Sequence, residues 1–214
     1  MSKKMIGIEI GADSVKIAQV KNGKVLNLAV ESLPDHMVSG GRVTAPAAMS
    51  YFLKDMMKNY KIRGKECAFV LPPQMVVTQR LTLPVMTEAE LKLNLPYEFR
   101  DYVGRNTEDY EYDYIVSAIR GNMMDLYAAA VRKDYMESCA EIFKRAGLIL
   151  KVAMPAEMAW LNVIQNAKGA PRSLCIIDIG YEKTRINIYQ DGRFVMGKDV
   201  EYAGMNMQSH RQTC

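Results

Sequence analysis

"MIGIEIGADSVKIAQV", residues 5 to 20, places two β-branched runs on either side of a short link, Gly-Ala-Asp-Ser, with an acid at Glu9 two residues before the glycine. Residues 5–11 and 14–21 read as strands, and the Asn22-Gly23 pair turns the chain into a third strand over 24–33. A hairpin bend built of small residues leaves backbone N–H groups facing a concavity, where they and a nearby hydroxyl can cradle phosphate oxygens. Gly11 keeps that approach clear of side chains, Ala12 and Asp13 complete the bend, and Ser14 supplies the hydroxyl. Lys16 alternates onto the Ser14 face, where it can neutralise phosphate charge; an exposed strand lysine accounts for it equally well.

The same device recurs near the other end. Ile177-Asp178-Ile179-Gly180 lines up with Ile8-Glu9-Ile10-Gly11, Thr184 supplies a hydroxyl as Ser14 does, and Asp191-Gly192 turns the chain as Asn22-Gly23 does. A single Asp/Glu-x-Gly is common in hairpins by chance. Two copies with matched flanking strands indicate a duplicated three-strand unit whose halves close over a ligand. Acids beside phosphate make sense with a hydrated divalent cation between them. Mg²⁺ keeps several waters and uses one or two carboxylates, so Glu9 and Asp178 are the candidate metal ligands.

Between the copies, Thr44 is expected to cap a helix that has Pro46 in its first turn and Met49, Phe52, Leu53, Met56, Met57 and Tyr60 on its core face. Residues 66–72 read as a buried strand stopped by Pro72-Pro73, and 75–84 as another. Thr87 and Glu90 have capping-box spacing for a helix running to about Tyr102 and kinked at Pro96. A hairpin with Gly121-Asn122 at its turn follows. In it Asp109, Glu111 and Asp113 alternate with Tyr110, Tyr112 and Tyr114, making one anionic and one aromatic face. The acids read as a solvated outer face in preference to a partner-binding edge. A helix over 134–146, a strand over 148–154 and a helix starting at Pro155 lead to the second copy.

Composition removes several function classes. The 214 residues carry 28 basic and 24 acidic side chains, a net +4 with no basic stripe, which argues against nucleic acid. Cys67, Cys139, Cys175 and Cys214 show no metal or redox spacing and read as reduced thiols, and with only His36 and His210 a zinc site is not expected. No uncharged run approaches the roughly 18 to 20 residues of a membrane-spanning helix.

These residues resemble the actin, Hsp70 and sugar-kinase superfamily, whose two phosphate loops are similar to "IEIGADSVK" and "IDIGYEKT". Within it, "RLTLP" before a capped helix, "EFRDYV" at its end, "GLILKVAMPAEMAWLNV" and "EYAGMNM" resemble the PilM family of type IV pilus assembly proteins from about Met5 to Met207. The resemblance implies an α/β, actin-like (ribonuclease H-like) subdomain over 1–73 and 155–171, an inserted strand-helix-strand-strand (SHS2) module over 74–154, and the start of a second lobe over 172–214. It implies a cytoplasmic nucleotide-binding adaptor, peripheral at the inner membrane, that binds the N-terminal tail of a bitopic PilN-like partner in a groove lined by segments after Pro72 and near Pro84. ATP and Mg²⁺ would be held by Glu9, Gly11, Ala12, Asp13, Ser14, Lys16, Glu157, Asp178, Gly180, Thr184 and Gly204. Because the family's second lobe continues beyond the polar ending "QSHRQTC", a truncated lobe and weak ATP binding by this chain alone are expected.

Two other functions compete. A small-molecule kinase of the same superfamily needs a base facing an acceptor pocket, and none is evident. A division protein similar to FtsA carries a C-terminal amphipathic membrane helix, for which the tail here is too short and polar.

Overall fold

The computed structural model describes residues 4–206. Its first sheet contains β1 (Lys4–Ile10), β2 (Ser14–Lys21) and β3 (Lys24–Ser32), an antiparallel meander, extended on the far side of β1 by two parallel strands, β6 (Glu66–Leu71) and β10 (Ile149–Pro155). The strand order is β10-β6-β1-β2-β3. A tiny hairpin of β4 (Val38–Ser39) and β5 (Arg42–Val43) precedes α1 (Pro46–Asn59). Strict alternation sends Ile6, Ile8, Ile10, Val15, Ile17, Cys67, Phe69 and Leu71 to one face. There they meet Met49, Leu53 and Met56 of α1 and Tyr135, Cys139, Ile142 and Phe143 of α4 (Lys133–Arg145). Phe69 and Phe143 contact edge to face with centroids 5.2 Å apart. Parallel strands need crossovers, and α1 and α4 supply them while covering the same face.

Thr44 does not cap α1. The N-cap is Ala45, and Thr44 belongs to the small hairpin, where its hydroxyl donates to the His36 carbonyl and its N–H to Met37 O at 3.0 Å. Pro46 in the first turn, with φ fixed and no N–H to satisfy, starts the helix unaided.

A second sheet is inserted after β6. It comprises β7 (Val76–Pro84), then α2 (Glu88–Glu98) and the short α3 (Arg100–Val103), then the hairpin of β8 (Tyr110–Arg120) and β9 (Met123–Arg132), in strand order β7-β9-β8. The Thr87–Glu90 capping box forms as the spacing required. The helix expected to reach about Tyr102 runs to Val103 in two segments, α2 and α3, which meet at Phe99 three residues past Pro96; Phe99 keeps right-handed helical dihedrals, and its carbonyl accepts from the Val103 N–H at 3.0 Å. Leu91, Leu95 and Phe99 pack on Leu126, Ala128 and Ala130, so α2 covers one face of this sheet.

The insert is shorter than the 74–154 expected from sequence, closing at Arg132. α4 packs its apolar stripe on the first sheet and β10 pairs with β6 in that sheet, so residues 133–155 belong to the first body. An amphipathic stripe shows that a helix needs a sheet but not which sheet receives it.

α5 (Ala156–Asn166) leads to a third, antiparallel sheet, β11 (Leu174–Ile179), β12 (Thr184–Gln190) and β13 (Arg193–Val200), in that order. The helix lies against β6, β10 and β13 and joins none of the first core. One face of the third sheet buries Asn187 and Tyr189, while Ile177, Ile179, Met196 and Val200 are exposed. Cys67 and Cys139 are buried and Cys175 is exposed; Cys214 and the rest of the polar ending lie outside the described residues.

Candidate functional site

The two glycine turns share one backbone design. Gly11 N–H donates to Ser14 O at 2.9 Å, and Gly180 N–H to Lys183 O at 3.0 Å. A Cβ on Gly180 would sit 2.8 Å from Lys183 O, so a side chain there would force the turn to move, while one on Gly11 would sit 3.1 Å from Ser14 O, a tight contact that the turn would have to give way to slightly. The ladders match as well, with Glu9 opposite Lys16 and Asp178 opposite Arg185. Here the copies diverge. Lys16 Nζ donates to Glu9 Oε1 at 2.7 Å in a half-exposed pair, whereas Arg185 Nε turns to Asp199 Oδ1 at 3.4 Å, and exposed Asp178 carries no ion pair among the described residues.

Around the second turn, Gly204 N–H donates to Gly180 O at 2.9 Å and Met205 N–H to Tyr181 O at 3.0 Å, while the Thr184 hydroxyl donates to Tyr202 O at 2.6 Å. A Cβ on Gly204 would lie 3.3 Å from Gly180 O. Gly180, Thr184 and Gly204 therefore form one cluster, and Glu9, Gly11, Ser14 and Lys16 another. Among the described residues no hydrogen bond or ion pair links the two clusters, and no group of three His, Cys, Asp or Glu side chains is placed to hold a metal.

Glu157 joins neither cluster. It is the second residue of α5 and 1 % exposed; its Oε1 accepts from the Tyr127 hydroxyl at 2.6 Å and the Thr78 hydroxyl at 3.3 Å, and its backbone carbonyl from the Tyr189 hydroxyl at 2.9 Å. Among the described residues its Oε2 is buried without a protein partner, as are Asn187 Oδ1 and Arg185 Nη1. A cavity of about 300 Å³ opens here between β7, β9, α5 and β13, and its polar walls are suited to ordered water. Burial, with the Glu157 carboxylate beside it, holds the Tyr127 phenol well above its ordinary pKa, so it serves as a donor to Glu157. Glu157 is thus a junction between the insert, α5 and the third sheet. Its partners are 79, 30 and 32 residues away in sequence, so local reading gave no sign of them.

A second, larger concavity lies between the insert and the first body, a groove of about 390 Å³. The insert contributes Glu111 to Ile115 of β8 and Tyr127, Ala129 and Val131 of β9; the first body contributes Leu71, Met136 and Ala153–Pro155, and α5 adds Met158 and Asn162. In the register Glu111 faces Val131, Asp113 faces Ala129 and Ile115 faces Tyr127, so all six share the sheet face opposite α2. The acids are exposed, as alternation indicated, but their face looks into the groove and not outward. Neither segment expected to line it, after Pro72 or near Pro84, does so; Leu71, which lines it, precedes Pro72. Pro84 ends β7, on the opposite edge of the inserted sheet. The acidic alternation was the legible signal for this wall. Met136, Met154 and Met158 come from three separate elements and carried none.

A ribonuclease H-like first sheet, a third sheet with the same glycine hairpin, α5 leading into it and a strand-helix-strand-strand insert define a protein of actin-like fold. The family model described as "Type IV pilus assembly protein PilM" matches residues 7–213, and the chain belongs to that family. The solved "PilM-PilN type IV pilus biogenesis complex" is similar with a TM-score of 0.83 at 20 % identity, over 96 % of this chain and 63 % of that one. The chain therefore spans under two thirds of that relative's length. The cytoplasmic domain of EpsL, an inner membrane component of the type II secretion system of Vibrio cholerae, is similar at 0.60 and 12 % identity, covering 93 % of this chain and 71 % of that one. Ethanolamine utilization protein EutJ from Carboxydothermus hydrogenoformans is similar at 0.57 and 14 % identity, over 99 % and 58 %. No curated protein matches the sequence.

Proposed function

We propose that the chain is a cytoplasmic adaptor of the pilus assembly machinery, receiving the N-terminal tail of a PilN-like bitopic inner membrane protein in the groove between the insert and the first body. The observation that carries this reading is the groove itself, walled by three methionines and by a sheet face on which Glu111 and Asp113 are exposed beside Ile115, Tyr127, Ala129 and Val131. Methionine is unbranched and polarizable and adapts to a peptide's side chains. No helix among the described residues is long and apolar enough to cross a membrane, and association with the membrane through a partner accords with that. Family membership and the likeness to a PilM–PilN complex support the partner class. The insert over 74–132 corresponds in this reading to the SHS2 module.

The repetition of one backbone turn at both glycines supports a shared phosphate grip. In this reading the amides of Ala12 and Asp13 and the Ser14 hydroxyl hold the phosphates of ATP from the first turn, Gly180 keeps the second turn clear of a side chain, Asp178 holds the hydrated Mg²⁺, and Gly204 lies beside the second turn. Lys16 serves by leaving Glu9 for the phosphate. A bound Mg-nucleotide supplies one polyanion spanning two lobes, and the residues present do no more than grip it.

Titration calorimetry of the chain with a synthetic peptide of the N-terminal tail of a PilN-like protein should give saturable binding; no heat and no saturation would overturn the adaptor reading. Fluorescent ATP titrated with Mg²⁺ should bind weakly. Asp178→Ala should reduce that affinity about tenfold, roughly 1.4 kcal/mol, with peptide binding unchanged. Equal affinity in the two proteins would remove Asp178 from the site.

A further inference from the structure

Five consecutive residues, Glu111 to Ile115, line the groove. Successive residues of a strand point to opposite faces, so a cavity touching all five runs along the strand's edge as well as its face. Among the described residues that edge is unpaired, because β8 is the last strand of the inserted sheet and bonds only to β9. On the other wall, Ala153, Met154 and Pro155 end β10, which is the last strand of the first sheet and bonds only to β6. The groove is therefore bounded by two open sheet edges. An edge with unpaired amides and carbonyls is a template for another strand unless something blunts it. One blunting contact is present: the Tyr114 N–H donates to the carboxylate of Asp113 at 2.8 Å.

Charge narrows the occupant further. Glu111 and Asp113 stand two residues apart on the groove face of β8, both exposed and neither ion-paired among the described residues. Two like charges separated by about 7 Å along a strand are best compensated by one cation between them.

We propose that the groove takes an extended, apolar peptide segment that adds to the inserted sheet at the open edge of β8 and sets a Lys or Arg side chain against Glu111 and Asp113. This deepens the adaptor reading and rests on it. Alternate residues of the peptide then turn their amides to β8 and the others turn theirs away, while side chains on one side settle on Met154 and Met158.

The test is a scan of backbone N-methylation along the synthetic PilN-like tail peptide, with binding measured by calorimetry. Methylation at every second residue of the contact segment should weaken binding at least tenfold, and methylation at the intervening residues should leave it within about twofold. Binding that tolerates methylation everywhere, or is lost without a two-residue period, overturns strand addition while leaving the adaptor reading intact. Failure of the unmodified peptide to bind ends both. On the protein side, the Glu111→Gln, Asp113→Asn double variant keeps an acceptor for the Tyr114 N–H. It should bind about tenfold more weakly at low salt, with the gap closing at high salt. An unchanged affinity and salt slope overturns the cationic contact.

Discussion

At the scale of single residues, Tyr127 does two jobs: its ring is part of the groove wall and its hydroxyl satisfies Glu157. Tyr127→Phe keeps the ring and leaves the buried carboxylate with Thr78 as its side-chain partner. Chemical denaturation should show a loss of about 1 to 3 kcal/mol, the cost of an unmet buried acceptor. The phenols of Tyr127, Tyr135 and Tyr189 are all held above their ordinary value, in each case first by burial. Unfolded phenols lose their protons near pH 10, whereas these keep theirs in the folded state. Above that pH the unfolded chain binds fewer protons, so stability falls as pH rises, and below it these groups contribute no slope. Tyrosinate absorbance should therefore report these three ionising together with the loss of far-ultraviolet circular dichroism. The glycine turns were legible in the sequence because their design is local, a glycine and the carbonyl three residues on. The Glu9–Lys16 pair is equally local, yet phosphate chemistry drew attention away from the plain cross-strand neighbour.

At the scale of elements, α2 holds the insert together by burying Leu91, Leu95 and Phe99 against β9. Its N-terminus depends on Thr87, whose hydroxyl accepts the Glu90 N–H while the Glu90 carboxylate takes the Thr87 N–H at 2.7 Å. Thr87→Ala should cost about 1 kcal/mol. Hydrogen exchange should localise the added opening to 88–103 and not to the first sheet. The elements themselves were readable: alternation gave the meander, Thr-x-x-Glu gave the start of α2 and Gly121-Asn122 gave the hairpin turn. Misplacement occurred where a competing local structure claimed a residue. Thr44 went to the small hairpin in place of a cap.

At the scale of the molecule, the insert interrupts a body to whose buried core, among the described residues, it adds Val131 alone. Replacing 74–132 by a flexible linker should leave a cooperatively unfolding protein, because α4 and β10 still complete the first core. Extending the deletion through 154 removes Tyr135, Cys139, Ile142, Phe143 and an entire strand, and circular dichroism should then show no cooperative transition. The sequence could not draw that boundary. α4 is amphipathic and would suit either sheet, and only the long-range pairing of β10 with β6 decides.

Cys67 and Cys139 lie in that first core, with burial pushing both thiols up to about 11. Near neutral pH they are protonated and shielded, and a thiol reagent reaches them only when the five-stranded sheet comes apart. In a background with Cys175 and Cys214 changed to Ser, the rate of their alkylation is a stopwatch for the first body alone. It can be read with the groove empty or filled, and it tells whether a guest held at the seam steadies its host.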